Sequence, residues 1–159
     1  MGMSMSIRLL TSNEAEESCR RITETLPEWF GIPEANQRYA KGVRDCLCLG
    51  WIKGGSCLGI LALERLYPNN FNLFWMGVER AHQGCGIGSQ LLEHAVALTT
   101  QEGAHSLTVE TLSPHHQDPH YLRTLHFYRT HGFEPLFELQ PYGPELHMLY
   151  LIRICCPQH

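Results

Sequence analysis

The stretch Val78-Glu79-Arg80-Ala81-His82-Gln83-Gly84-Cys85-Gly86-Ile87-Gly88-Ser89 decides how the rest of the chain is read. Before it, Phe71 to Val78 is an almost unbroken apolar run. We read it as a central strand, with Phe71, Leu73 and Trp75 on one face and Phe74, Met76 and Val78 on the other. A run apolar on both faces fits a strand covered from both sides. After the stretch, Gly86 to Glu102 carries Ile87, Leu91, Ala95 and Leu98 as an apolar stripe at helical spacing, and Gly103 is a natural stop. A strand therefore passes through the alternating glycines 84, 86 and 88 into a helix. Glycine permits a sharp turn and a close approach of backbone to ligand. The first N–H groups of a helix lack intrahelical partners, and with the helix dipole they suit a phosphate or pyrophosphate.

Two familiar phosphate loops match weakly. A P-loop needs Gly-x-x-x-x-Gly-Lys-Ser/Thr, and no lysine stands here. A dinucleotide fingerprint needs Gly-x-Gly-x-x-Gly in the first βα turn. Here Gly84 and Gly86 are followed by Ser89, and the loop lies mid-chain.

Working outward, Ile7 to Leu10 reads as a first strand, and Ser12 as the cap of a helix running to about Leu26. A second helix covers Glu34 to Val43. Strands Cys46 to Ile52 and Cys57 to Leu66 flank the hairpin turn Lys53-Gly54-Gly55-Ser56. Beyond the central helix come a strand Leu107 to Leu112, a polar loop Ser113 to Pro119, and a helix Tyr121 to His131 stopped by Gly132. Two more strands follow, Phe133 to Leu139 and Leu146 to Ile154. The order β-α-α-β-β-β-α-β-α-β-β is mixed α/β, without the strict alternation of a doubly wound sheet.

The 159 residues suit one domain over 1–159, with residues 1–5 as a flexible leader. Apolar residues at 43% and charged ones at 18% exclude global disorder. Lys and Arg total 12 against 16 Asp and Glu, so no basic excess is available for nucleic acid. No apolar run approaches the ~20 residues of a membrane helix. Seven cysteines form no secreted-type framework and no signal peptide precedes them, which places the chain in the cytoplasm. Gly2 and Ser6 formally fit a myristoylation pattern, for which a loose leader is the plainer reading. His115, His116, Asp118 and His120 are zinc-type donors, but their spacing matches no standard site and they read as surface residues; no metal is expected.

The segment Gln83-Gly84-Cys85-Gly86-Ile87-Gly88 has the form Gln/Arg-x-x-Gly-x-Gly/Ala. Some 40 residues later, Phe127-Tyr128-Arg129-Thr130-His131-Gly132-Phe133 ends a helix as Phe-Tyr-x-x-x-Gly-Phe. Together with the element order, these resemble the GNAT superfamily of N-acetyltransferases over nearly the whole chain. The resemblance implies a single GNAT-like domain with a mostly antiparallel mixed sheet of six to seven strands and about four helices. It implies transfer of an acetyl group from acetyl-CoA, as cosubstrate, to a primary amine by direct attack in a ternary complex. The acceptor is a small molecule or a protein. Met76, Gly77 and Val78 would pair with the pantetheine arm, and Gln83, Gly84, Cys85, Gly86, Ile87, Gly88 and Ser89 would hold the pyrophosphate. Tyr128 matches the family's general acid, which protonates the departing thiolate.

For the base, the central strand offers only Asn72. Glu110 is the first alternative and Glu64 the second, with a water relay through Asn72 beside them. Tyr121 stands where many members carry an Asn that contacts CoA. Trp29, Phe30, Tyr39 and Tyr142 are candidates to line the acceptor pocket. Many members are homodimers, although no dimer signal is legible in this chain. The competing reading is a non-catalytic GNAT-like module that binds acyl-CoA, or a partner, as a sensor or interaction module.

Overall fold

The computed structural model describes residues 4–155. Its elements follow the order read from the sequence: β1 (Met5–Leu9), α1 (Ser12–Glu24), α2 (Pro33–Gly42), β2 (Leu47–Lys53), β3 (Ser56–Tyr67), β4 (Asn70–Val78), α3 (Ile87–Gln101), β5 (Ser106–Leu112), α4 (Pro119–Thr130), β6 (Glu134–Leu139) and β7 (Met148–Ile154). One mixed seven-stranded sheet runs β1-β2-β3-β4-β5-β7-β6. Every neighbouring pair is antiparallel except β4 and β5. β1 begins at Met5, inside the segment read as a leader, while Gly2 and Cys156 lie outside the described residues.

Local chemistry accounts for the element ends. Thr11, not Ser12, caps α1. Its hydroxyl accepts from the Glu14 N–H (3.2 Å), and the Glu14 carboxylate accepts from the Thr11 N–H (2.9 Å), a reciprocal capping box. The Ser12 hydroxyl instead donates to the Arg44 carbonyl (2.8 Å). Between β2 and β3, Gly54 and Gly55 have φ of +58° and +79°, the left-handed pair that a two-residue hairpin turn requires.

Two apolar clusters lie on opposite sides of the sheet. Ala15, Cys19 and Ile22 of α1, spaced along one helix face, pack with Ala40, Ile60, Ala62 and Trp75. Ile87, Leu91, Leu92 and Ala95 of α3, with Tyr128 of α4, pack with Leu61, Leu63, Phe71, Leu107, Val109 and Leu151. Leu98 packs partly buried against the same core, and the last fully buried position of α3 is Thr99. Its hydroxyl donates to the Ala95 carbonyl (2.8 Å), so the polar group is satisfied where it is buried.

The expected faces of β4 are corrected. Its register against β3 steps from Leu63↔Leu73 to Ala62↔Trp75, leaving Phe74 as an extra residue, a β-bulge. Phe74 and Trp75 consequently both join the α1/α2 side, whereas Met76 joins the α3 side with Phe71 and Leu73. The Phe74 ring lies so near Gly42 that a Cβ there would stand 2.5 Å from Cζ.

Candidate active site

The bulge creates the cleft. β4 and β5 pair only from Asn70↔Ser106 to Leu73↔Val109. A bulge bends and twists its strand, and beyond it β4 parts from β5, which stays paired with β7 as far as Leu112. Met76, Gly77 and Val78 keep Leu61, Ile60 and Gly59 of β3 on one edge, while their other edge is open. An unpaired edge inside a sheet offers peptide N–H and C=O groups to an extended, amide-bearing arm. Gly77 is needed for a different reason: a Cβ would stand 2.6 Å from Cη2 of Trp75 and 3.1 Å from Cγ2 of Ile22.

That strand leads into the glycine loop. Gly84 and Gly86 have φ of +79° and +83°, and a Cβ at either would meet nothing within 4 Å. Both glycines therefore serve the turn and leave open space over it. Gly86 is the cap of α3 and has no side-chain cap bond; the first helical bond runs from the Gln90 N–H to the Gly86 carbonyl (3.1 Å). The N–H groups of Ile87, Gly88 and Ser89 therefore have no helical acceptor and face outward. Gln83 plays a different part. Its own N–H donates to Arg80 (3.3 Å) and its Nε2 to the Val78 carbonyl (3.3 Å), so it shapes the loop from within.

Charged contacts tie the loop to α1 and to the residues that follow it. Arg21 pairs with Glu79 (2.6 Å), Arg80 Nε donates to the Thr25 carbonyl (2.8 Å), and Arg80 pairs with Glu28.

α4 stands across the cleft end. Asp118 caps it by accepting from the His120 (2.9 Å) and Tyr121 (3.3 Å) N–H groups. Phe127 lies 3.5 Å from where a Gly88 Cβ would be, so α4 abuts the start of α3. The Tyr128 ring is packed against Phe127 and Phe133 and is 6% exposed. Its hydroxyl makes no hydrogen bond among the described residues, yet it is not one of the sealed, unpartnered polar atoms. Burial raises its pKa, so the phenol stays protonated and able to donate.

Glu110 is the first residue of β5 past the point where β4 leaves. Its carboxylate accepts from the Tyr142 hydroxyl (2.5 Å) and from the Tyr150 hydroxyl of β7. Burial, followed by the bond to Glu110, pushes Tyr150 up to about 12 and Tyr142 in the same direction. Both phenols thus remain donors and hold the carboxylate in place. Tyr39 of α2, raised by burial first, also feels the Glu110 charge.

A family model described as an acetyltransferase (GNAT) domain matches residues 45–135, more than half of the chain. The chain belongs to the GNAT family. Solved structures agree on the fold. The ribosomal-protein-S18-alanine N-acetyltransferase of Escherichia coli aligns at TM-score 0.77 and 15% identity, covering 98% of this chain and 97% of that one. A GNAT-family acetyltransferase of Staphylococcus aureus Mu50 aligns at TM-score 0.76 and 16% identity, covering 96% and 100%. A GNAT-family acetyltransferase of Elizabethkingia anophelis, solved with acetyl-CoA bound, aligns at 0.72 and 15%, covering 94% and 97%. At such identities the likeness is one of fold. No curated protein sequence matches the chain.

In this GNAT chain the other expected site residues divide. Asn72 donates to Glu64 (3.2 Å) and accepts from Thr108 (2.9 Å), within the part of the sheet where β4 and β5 are still paired. Glu64 and Asn72 therefore sit behind the cleft, whereas Glu110 stands at its opening. Trp29 is committed to α4: its Nε1 donates to Thr124 (3.2 Å) and its carbonyl accepts from the Tyr121 hydroxyl (2.9 Å). Tyr121, at the position where Asn was expected, thus holds the α1–α2 loop, and burial raises it to about 12. Phe30 packs tilted against Trp75 (5.4 Å) and edge-on against Tyr39 (5.9 Å). The Tyr142 hydroxyl reaches Glu110, and Tyr39 lies near enough to feel its charge.

Tyr150 was not singled out from the sequence. Its signal is the register Glu110↔Tyr150, which no local pattern reveals. The histidine loop is also resolved: His116 Nε2 accepts from the His147 N–H (3.0 Å), and His120 packs on Trp29. Among the described residues no group of three His, Cys, Asp or Glu side chains is placed to hold a metal. No helix among them is long and apolar enough to cross a membrane.

Proposed function

We propose that the chain is an acetyl-CoA-dependent N-acetyltransferase acting on a primary amine by direct attack in a ternary complex. One observation carries the reading: the open edge of Met76–Val78 leads directly to a helix start whose N–H groups have no partners. An amide-rich arm ending in a pyrophosphate fits that path. Met76, Gly77 and Val78 would pair with the arm. The amides of Gly84, Cys85, Gly86, Ile87, Gly88 and Ser89 would hold the pyrophosphate, with Gln83 shaping their loop. Acetyl-CoA supplies the acetyl group as a thioester.

The amine nitrogen comes from the Glu110 side. An alkylammonium near pKa 10 and a carboxylic acid near 4 differ by about six units, or ~8 kcal/mol, so a carboxylate does not simply strip the resting ammonium. The amine loses its first proton to solvent. Glu110 accepts the second as the C–N bond forms, when the nitrogen becomes acidic. Tyr128, protonated on the other side of the sheet, donates to the sulfur as the C–S bond breaks.

The test is Tyr128→Phe. Turnover is expected to fall by on the order of 10²-fold, with CoA affinity by calorimetry nearly unchanged. Unchanged turnover sinks the acid assignment. Binding of acetyl-CoA without turnover of any amine, in the unsubstituted protein, favours the sensor reading instead.

A further inference from the structure

The sheet face beside Glu110 is arranged in cross-strand rows. The registers Glu110↔Tyr150 and Tyr150↔Phe137 place these three side chains in one row from the cleft to the sheet edge. Leu112, Met148 and Leu139 form the next row. The Tyr150 and Phe137 rings are 5.3 Å apart. α1 packs over β3 and β4, and among the described residues no helix packs extensively on β6 or β7. Phe137 and Leu139 remain 52% and 51% exposed. The shelf is thus apolar and aromatic over two strand spacings, about 10 Å, with a carboxylate at its inner end. The Tyr142 and Tyr150 hydroxyls both bond that carboxylate and fix it in place, and its charge attracts an ammonium. On the outward rows the other carboxylate is Glu134, opposite Ile152 on the exposed strand β6.

We propose that the shelf of Glu110, Tyr150 and Phe137 is the acceptor subsite, and that it takes a small, singly charged primary amine with an apolar or aromatic body rather than a polycation. This rests on the acetyl-transfer reading above. The charge complementarity is specific: one carboxylate at the inner end for one ammonium, then rings and aliphatic chains along which a second cation would meet no carboxylate. The body of the acceptor lies across Tyr150 toward Phe137, and its nitrogen points into the gap between β4 and β5.

The experiment measures CoA release by the full chain with acetyl-CoA and 2-phenylethylamine, spermidine or kanamycin as acceptor. A kcat/KM at least tenfold higher for 2-phenylethylamine is expected. Phe137→Ser should raise its KM about tenfold and lower its kcat by less. Preference for spermidine or kanamycin, or indifference of the 2-phenylethylamine KM to Phe137→Ser, overturns the proposal. If acetyl-CoA binds but no amine is acetylated, acetyl transfer itself fails. Calorimetry of 2-phenylethylamine with the CoA-bound protein then decides the shelf: binding weakened by Phe137→Ser upholds it, and absence of binding overturns it.

Discussion

At Gly86 the backbone has φ +83° and nothing would touch a Cβ. A side chain there meets backbone strain of roughly 1–2 kcal/mol and intrudes into the space over the α3 N-terminus. Gly103, after the C-terminal end of α3, has φ +78° and equally open surroundings. The two positions separate strain from ligand contact. Gly86→Ala and Gly103→Ala should lower the melting temperature by similar amounts. Only Gly86→Ala should weaken CoA binding, by about tenfold or more in calorimetry. Equal CoA affinity in both variants means the loop does not contact the cofactor. The sequence exposed these glycines because their spacing between a strand and a helix is local. It did not reveal that Gly77 is required by the Trp75 ring, a contact created by the bulge.

At the scale of elements, α1 shows how a terminus is held. The Arg8 guanidinium, bonded to Glu14 at 2.7 Å, and the Thr11 N–H hold the Glu14 carboxyl down to about 2. A folded-state value below the unfolded one, near 4.3, contributes stability that is present above pH ~4.3 and disappears as pH falls toward 2. Glu14→Gln removes that dependence. The drop in urea midpoint between pH 6 and pH 3 should be smaller in Glu14→Gln than in the parent; an equal drop means the pair adds nothing. β4 marks the limit of pattern reading. With Phe71, Leu73, Phe74, Trp75 and Met76 all apolar, alternation cannot say where a face switches. The bulge at Phe74 is set by pairing with β3 and by the Phe74 ring against Gly42.

For the whole molecule, the proposed cofactor path crosses the sheet break, the glycine loop and α4, so occupancy should stabilise the fold globally. A ligand at about 100 times its dissociation constant adds roughly 2.7 kcal/mol. For a domain of this size that raises the melting temperature by about 5–10 °C. Acetyl-CoA and CoA are each expected to produce such a rise, and ATP and NAD none. A rise with ATP or NAD alone removes the CoA assignment and with it the reading of the β4 edge.

The order of elements, the glycine-turned start of α3, the hairpin at Gly54–Gly55 and the place of Tyr128 were legible in the sequence. Each depends on residues close in the chain: periodicity, left-handed φ, or a helix end. Tertiary structure alone decided which carboxylate faces the opening. Glu64 and Glu110 look alike as strand residues, yet Glu64 is bound by Asn72 where β4 and β5 are joined and Glu110 stands where they part. The same holds for Tyr150 and Phe137. They lie far from Glu110 in the chain and come beside it because β7 inserts between β5 and β6. Strand order and register are set by the burial of the whole sheet, and no local stretch of sequence encodes them.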